Sequence, residues 1–164
     1  MGCERKALVT ILEDTRNQIG KHKNIAAYCK KNGINIVRTK LLVGDYMLAG
    51  PGGGGISVDT KTLGIPEIAS NCFQEHERFR SMCQLAQECG IRLIVLIEEM
   101  PPDGDVAKWQ PPLDRYGKPK YKFDPGTLAK VMNTMTERYN VQFRFCDGRS
   151  TGKMLIEYLK GERT

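Results

Sequence analysis

The chain has 164 residues, 40% of them hydrophobic, which is enough for one globular domain with a continuous core and needs neither disulfides nor a structural metal. Twenty-five Lys and Arg against nineteen Asp and Glu give a formal charge of +6 and favour a polyanionic partner. The N-terminus carries Glu4, Arg5 and Lys6 without an apolar signal core, and no apolar run approaches membrane-spanning length, so a cytoplasmic protein is expected. The cysteines Cys3, Cys29, Cys72, Cys83, Cys89 and Cys146 are scattered without zinc spacing and read as reduced, mostly buried thiols.

In chain order, residues 6–14 form an apolar strand that delivers Glu13 and Asp14 at its end, followed by Thr15 and Arg16. Helical spacing of Ile25, Ala26 and Cys29 predicts a helix over about 18–31 that stops at Asn32-Gly33. A strand over 34–39 follows, then two runs, 41–48 and 56–62, joined as a hairpin by the glycine tract 50–55. That tract lacks the Gly-Lys-Ser/Thr ending of a phosphate-binding loop and opens no helix.

Helices are expected from Pro66 to about Asn71 and over 75–89, where Phe79, Met82, Cys83, Leu85 and Ala86 give the apolar side. Residues 91–97 are almost wholly apolar, as a strand covered on both faces should be, and emerge at Glu98-Glu99. A helix over 127–139, a strand over 141–145 and a helix over 151–159 complete the chain. The alternation predicts an α/β fold, a mixed sheet flanked by helices. The stretch 147–153 mimics a P-loop but is too short, with Met154 where a magnesium-binding hydroxyl belongs, and Ser150 or Thr151 as a helix N-cap explains it.

The chemistry concentrates in Gly44-Asp45-Tyr46 and Val58-Asp59-Thr60-Lys61. On a strand, residues two apart share a face, so the Asp59 carboxylate and Lys61 ammonium project together while Val58 and Thr60 face the core. Two carboxylates beside a lysine suit metal-assisted phosphodiester cleavage. An Asp-x-Lys by itself is far more often an exposed ion pair on a strand than an active site.

Between Trp109 and Phe123, Arg115, Lys118, Lys120 and Lys122 interleave with Tyr116 and Tyr121. Such a segment can neutralise phosphates while its rings stack on bases, and would then be mobile without nucleic acid. The other reading is a solvated Pro-rich loop whose aromatics pin it to the body.

The ordered set Asp14-Thr15-Arg16, Gly44-Asp45-Tyr46 and Val58-Asp59-Thr60-Lys61, followed by Arg78-Phe79 and the strand ending in Glu98-Glu99, resembles the XPF-type nuclease domain. That domain, from excision-repair cross-complementation group 4, belongs to the PD-(D/E)xK superfamily. The motifs span about residues 8–99. The basic loop 100–126 and the helix-strand-helix of 127–160 are similar to stand-alone phage or prophage versions, which would place the protein in a bacterial or phage-infected cell. The family core reads Glu-Arg-Lys with an Asp four residues after the Lys. Here Asp59 and Thr60 stand in place of Glu and Arg, the later position is Ile65, and Glu67 is the nearest acid.

The resemblance implies a restriction-endonuclease-like three-layer sandwich and one nuclease domain over 1–164, cleaving DNA with Mg2+ or Mn2+. It makes Asp45 and Asp59 the metal ligands, with the Thr60 carbonyl as a backbone ligand, and gives Lys61 the attacking water. Asp14 and Glu67 are expected as further carboxylates, or alternatively as a strand-end turn acid and a first-turn helix acid. Arg16 and Arg78 are expected to grip phosphate, or to pair with one of these acids. His76 reads as a surface residue. The family also leaves room for a homodimer, and for a non-catalytic module that keeps the fold.

Overall fold

The computed structural model describes residues 8–164. Thr10–Asp14 forms β1, Lys23–Lys31 α1, Asn35–Thr39 β2, Tyr46–Leu48 β3 and Ile56–Lys61 β4. Ile65–Phe73 forms α2, His76–Glu88 α3, Arg92–Ile97 β5, Pro125–Tyr139 α4, Gln142–Phe145 β6 and Thr151–Leu159 α5. The strands make a single mixed sheet in the order β2-β1-β3-β4-β5-β6, with only β3 antiparallel to its neighbours. This is the expected α/β architecture.

Strand β5 shows why the sheet is covered on both sides. Its alternate residues point to opposite faces. Ile94 and Leu96 enter one core with Ile11, Ile25, Val58 and Leu155, beneath α1 and α5. Leu93, Val95 and Ile97 enter the other with Ile65, Phe79, Cys83 and Leu128, beneath α2, α3 and α4. The result is three layers, and every side chain of β5 beyond Arg92 is buried.

Several boundaries differ from the sequence reading for local reasons. The strand expected from residue 6 begins at Thr10, and residues 6 and 7 lie outside the described residues. The helix expected from about residue 18 begins at Lys23, because Gly20 has a φ of 79° and His22 stands at φ −104°, ψ 61°. The run 41–48 is a strand only over Tyr46–Leu48. Gly44 is left-handed at φ 72°, and a Cβ there would stand 2.2 Å from the Ser57 Oγ, so the chain turns where it passes closest to β4. Ser150 holds the N-cap position of α5 but makes no capping bond. The turn before it is closed instead by the Asp147 side chain, which accepts from the Arg149 N–H at 2.7 Å.

Cys29, Cys72, Cys83 and Cys146 are buried free thiols and Cys89 is exposed, while Cys3 lies outside the described residues. No helix among the described residues is long and apolar enough to cross a membrane.

Candidate active site

The strand directions create the site. Because β3 runs against β1 and β4, its N-terminal end lies beside their C-terminal ends. Asp14 ends β1, Asp45 precedes β3 and Asp59 to Lys61 end β4, so all arrive at one edge of the sheet. Asp45 is fixed there by its backbone: its N–H donates to the Val58 carbonyl at 2.9 Å and its carbonyl accepts from the Asp14 N–H at 2.8 Å. A cleft of about 510 Å³ opens over this edge, lined by Asp14, Asp45, Asp59, Lys61, Glu67 and Arg78 among others.

Asp59 and Lys61 share a face, as the alternation requires, and their charged atoms are 2.8 Å apart. The pair is buried rather than solvent-facing, at 7% and 8% exposure, since helices cover this face of β4 too. The Lys61 ammonium also lies 5.8 Å from the centroid of the Phe79 ring. Burial, reinforced by the charge of Asp45 and opposed by Lys61, pushes the Asp59 carboxyl up to about 6. Burial works against the Lys61 ammonium, but Asp59 outweighs it and holds Lys61 above its ordinary value. Lys61 is thus a cation and a donor here, not a base.

Thr60 does not merely face the core. Its N–H and its hydroxyl both donate to Asp45 Oδ2, at 2.8 and 2.7 Å. The Lys61 carbonyl accepts from the Glu98 N–H on the β5 side, so by strand alternation the N–H and C=O of Thr60 point to the opposite side, past the end of β3. Asp45 Oδ1, the Thr60 carbonyl and Asp59 Oδ1 are the oxygens left over. Asp59 Oδ2 is buried against the Lys61 ammonium at 2.8 Å. A buried carboxylate offset by a single lysine, beside a second carboxylate, suits a divalent cation. Among the described residues, no three His, Cys, Asp or Glu side chains gather closely enough to hold an ion by themselves. Two carboxylates completed by water and phosphate oxygens match the donor set that magnesium accepts.

Other expected residues reach the cleft but are already engaged. Asp14 is 3% exposed and accepts from the backbone N–H, Nε and Nη2 of Arg16. Burial opposes its charge, yet these bonds prevail and hold its carboxyl below the usual range. Arg16 also donates to the Leu41 carbonyl at 2.8 Å. Pairing with an acid is therefore the alternative realised for Arg16. Glu67 accepts from the Leu63 N–H at 2.9 Å ahead of α2, the first-turn role. Arg78 lines the cleft, is exposed and makes no ion pair among the described residues. His76 is exposed.

The basic segment is pinned at both ends. Trp109 is 6% exposed and stacks on Phe123 with ring centroids 5.2 Å apart and 7° between planes. Its indole N–H donates to Glu99, whose other oxygen accepts from the Ile65 N–H at 3.0 Å, so one carboxylate joins the segment to α2. Between these anchors Asp114 closes a tight turn by accepting from the Tyr116 and Lys118 N–H groups. Tyr121 leans on Trp109 at 6.3 Å, and Tyr116 lies under Arg115 at 4.8 Å. The two tyrosines thus pack on their own segment and Phe123 also meets Phe73 of α2 at 6.3 Å, whereas Arg115, Lys118, Lys120 and Lys122 are exposed and form no ion pair among the described residues.

Sequence reading misses His22, and it places Glu13 at the strand end without a role. His22 is 7% exposed and joins Thr60 to Tyr46. The available signal is its place within an otherwise polar stretch leading into α1, which by itself indicates only a turn.

No family model and no curated protein matches this chain. Among solved structures it is similar to XPF from Aeropyrum pernix, at 18% identity and a TM-score of 0.62, over 94% of this chain and 66% of that one. It is likewise similar to XPF from Aeropyrum pernix in complex with DNA, at 16% identity and a TM-score of 0.64, over 94% and 64%. The chain spans just under two thirds of the length of both. The likeness establishes an XPF-like α/β fold.

Proposed function

We propose that this protein is a metal-dependent endonuclease that hydrolyses DNA phosphodiester bonds. The observation that carries the reading is the convergence of Asp45, Asp59 and Lys61 in one cleft. Asp45 Oδ1, Asp59 and the Thr60 carbonyl would hold Mg2+ or Mn2+. Such an ion, when bound, polarises the phosphate and acidifies a water. The Lys61 ammonium offsets charge developing on the phosphoryl oxygens and orients the attacking water. Arg78 at the cleft and the cations of the 109–123 segment hold the phosphate backbone. Asp14 and Glu67 shape the cleft through Arg16 and the start of α2.

The DNA in one of the two solved structures supports the choice of substrate by analogy of fold. Branched or flapped DNA, in repair, recombination or phage DNA processing, is the substrate range to examine. A homodimer is a further arrangement to test by light scattering.

A second reading, a DNA-binding or assembly module without catalysis, is favoured by one observation: Asp14 is saturated by Arg16, which leaves Asp45 and Asp59 as the carboxylates that β3 and β4 bring to the cleft. Incubating the purified protein with labelled linear, single-stranded, flapped and four-way DNA separates the two. Cleavage with Mg2+ or Mn2+ that stops with EDTA, and stops again in Lys61→Met, is expected. Binding without cleavage on every substrate in both metals would overturn the nuclease reading.

A further inference from the structure

The strongest unassigned feature is a continuous polar chain running through the sheet behind the cleft. It starts at Asp45, whose Oδ2 accepts from the Thr60 hydroxyl at 2.7 Å. The same Thr60 oxygen lies 3.1 Å from His22 Nε2, and His22 Nδ1 lies 2.6 Å from the Tyr46 hydroxyl. Tyr46 donates to Glu13 at 3.0 Å, and Glu13 accepts from Arg38 on β2 at 2.5 Å. Thr60, His22 and Tyr46 are all buried, Tyr46 completely. None is a core position that needs a polar group for packing. Buried polar groups of this kind are retained where they fix a geometry.

We infer that His22 is a positioning residue for Asp45, acting through the Thr60 hydroxyl. The Tyr46 hydroxyl shares its one proton between His22 Nδ1 at 2.6 Å and Glu13 at 3.0 Å, so Nδ1 is an acceptor and the ring's own proton sits on Nε2, facing Thr60. The Thr60 oxygen therefore receives from His22 Nε2–H while its hydroxyl proton goes to Asp45 Oδ2. Thr60 is β-branched and stiff at χ1, so its rotamer is set by these two contacts together with the strand. Glu13 and Arg38 anchor the far end, tying ligand geometry on one edge to an ion pair reaching β2. Outer partners of this sort tune metal affinity by 10- to 100-fold.

The inference rests on the metal reading proposed above, and its test separates the two. In metal-free protein, His22→Phe preserves ring packing and leaves both the Tyr46–Glu13 and Thr60–Asp45 bonds possible. Loosening of the clamp then appears as faster hydrogen exchange of the Thr60 amide, by roughly tenfold, with β5 amides unchanged. His22→Gln, which can still reach Thr60, restores protection. Mn2+ binding followed by electron paramagnetic resonance, without DNA, is expected to weaken about 10-fold or more in His22→Phe. Thr60→Val should weaken it similarly, and the double variant no further, because both act along one path.

Unchanged Thr60 exchange in His22→Phe would overturn the inference, as would effects on Mn2+ affinity that multiply in the double variant. Absence of Mn2+ binding in the unsubstituted protein, together with accelerated Thr60 exchange in His22→Phe, would leave His22 as the clamp of Asp45 and overturn the metal reading instead.

Discussion

At the residue scale, Asp59 combines the requirements of chemistry with a cost to folding. Its raised pKa means that the folded, metal-free protein binds its proton more tightly than the unfolded chain does. The sign follows: Asp59 contributes stability below the unfolded value near 4, and that contribution is lost as pH rises through about 6. Asp59→Asn mimics the protonated form. It should abolish cleavage and, without metal at pH 8, stabilise the fold by on the order of 2 kcal/mol. Urea titrations at pH 8 and pH 4 check this, with the gain present at pH 8 and absent at pH 4. A less stable Asn variant at pH 8 would show that the ion pair with Lys61 outweighs the burial of Asp59.

That cost is not legible in the sequence, although the residues are. Alternation along Val58-Asp59-Thr60-Lys61 correctly places Asp59 and Lys61 on one face. It gives no means of knowing that α2 and α3 cover that face and bury the pair. The same alternation assigns Thr60 to the core. Thr60 is buried as that predicts, but its hydroxyl and N–H also clamp Asp45, because β3 is only Tyr46–Leu48 and leaves the end of β4 unpaired on that side.

At the scale of elements, the 109–123 segment shows how a loop can be pinned by its rings and still offer its charges. Glu99 binds both Trp109 and the start of α2, so the segment and the helix carrying Glu67 are held from one point. Neutralising Lys118, Lys120 and Lys122 should leave the melting temperature unchanged, since their side chains are exposed and unpaired among the described residues. It should lower the slope of log affinity for DNA against log salt by about 0.9 for each phosphate that these lysines neutralise. Turnover at saturating DNA should persist. An unaltered slope would mean that they do not touch phosphate.

The composition of the segment reveals its charges and rings in the sequence. The pairing of rings with one another is not visible there, because Trp109 and Phe123 meet only when the turn at Asp114 folds the segment back.

For the whole molecule, the two cores are complete without any ion. Ile11, Ile94, Leu96 and Leu155 on one side and Ile65, Val95, Ile97 and Leu128 on the other are essentially inaccessible to solvent. The acids sit at the rim of this body, not inside either core. Exhaustive chelation should therefore leave the circular dichroism spectrum and a single cooperative unfolding transition intact. Unfolding on removal of metal would assign the ion a structural role instead. The layered fold is readable from the alternation of elements, since each apolar period matches the face it buries. The strand order is not, because a three-residue β3 gives too short a pattern to show which neighbours it joins.

The β3–β4 hairpin has its two ends at opposite edges of the sheet: the acids at one and the glycine tract at the other. From Gly55 to Asp59 the chain runs extended, roughly 13 Å at the usual rise of a strand. Gly53 is hemmed in, since a Cβ there would stand 2.0 Å from the Leu48 carbonyl oxygen, but Gly54 and Gly55 would meet nothing within 4 Å. The tract is therefore a natural port for cargo. A reporter peptide or fluorophore spliced between Gly54 and Gly55 would ride on the strand that carries Asp59 and Lys61 while remaining remote from the cleft.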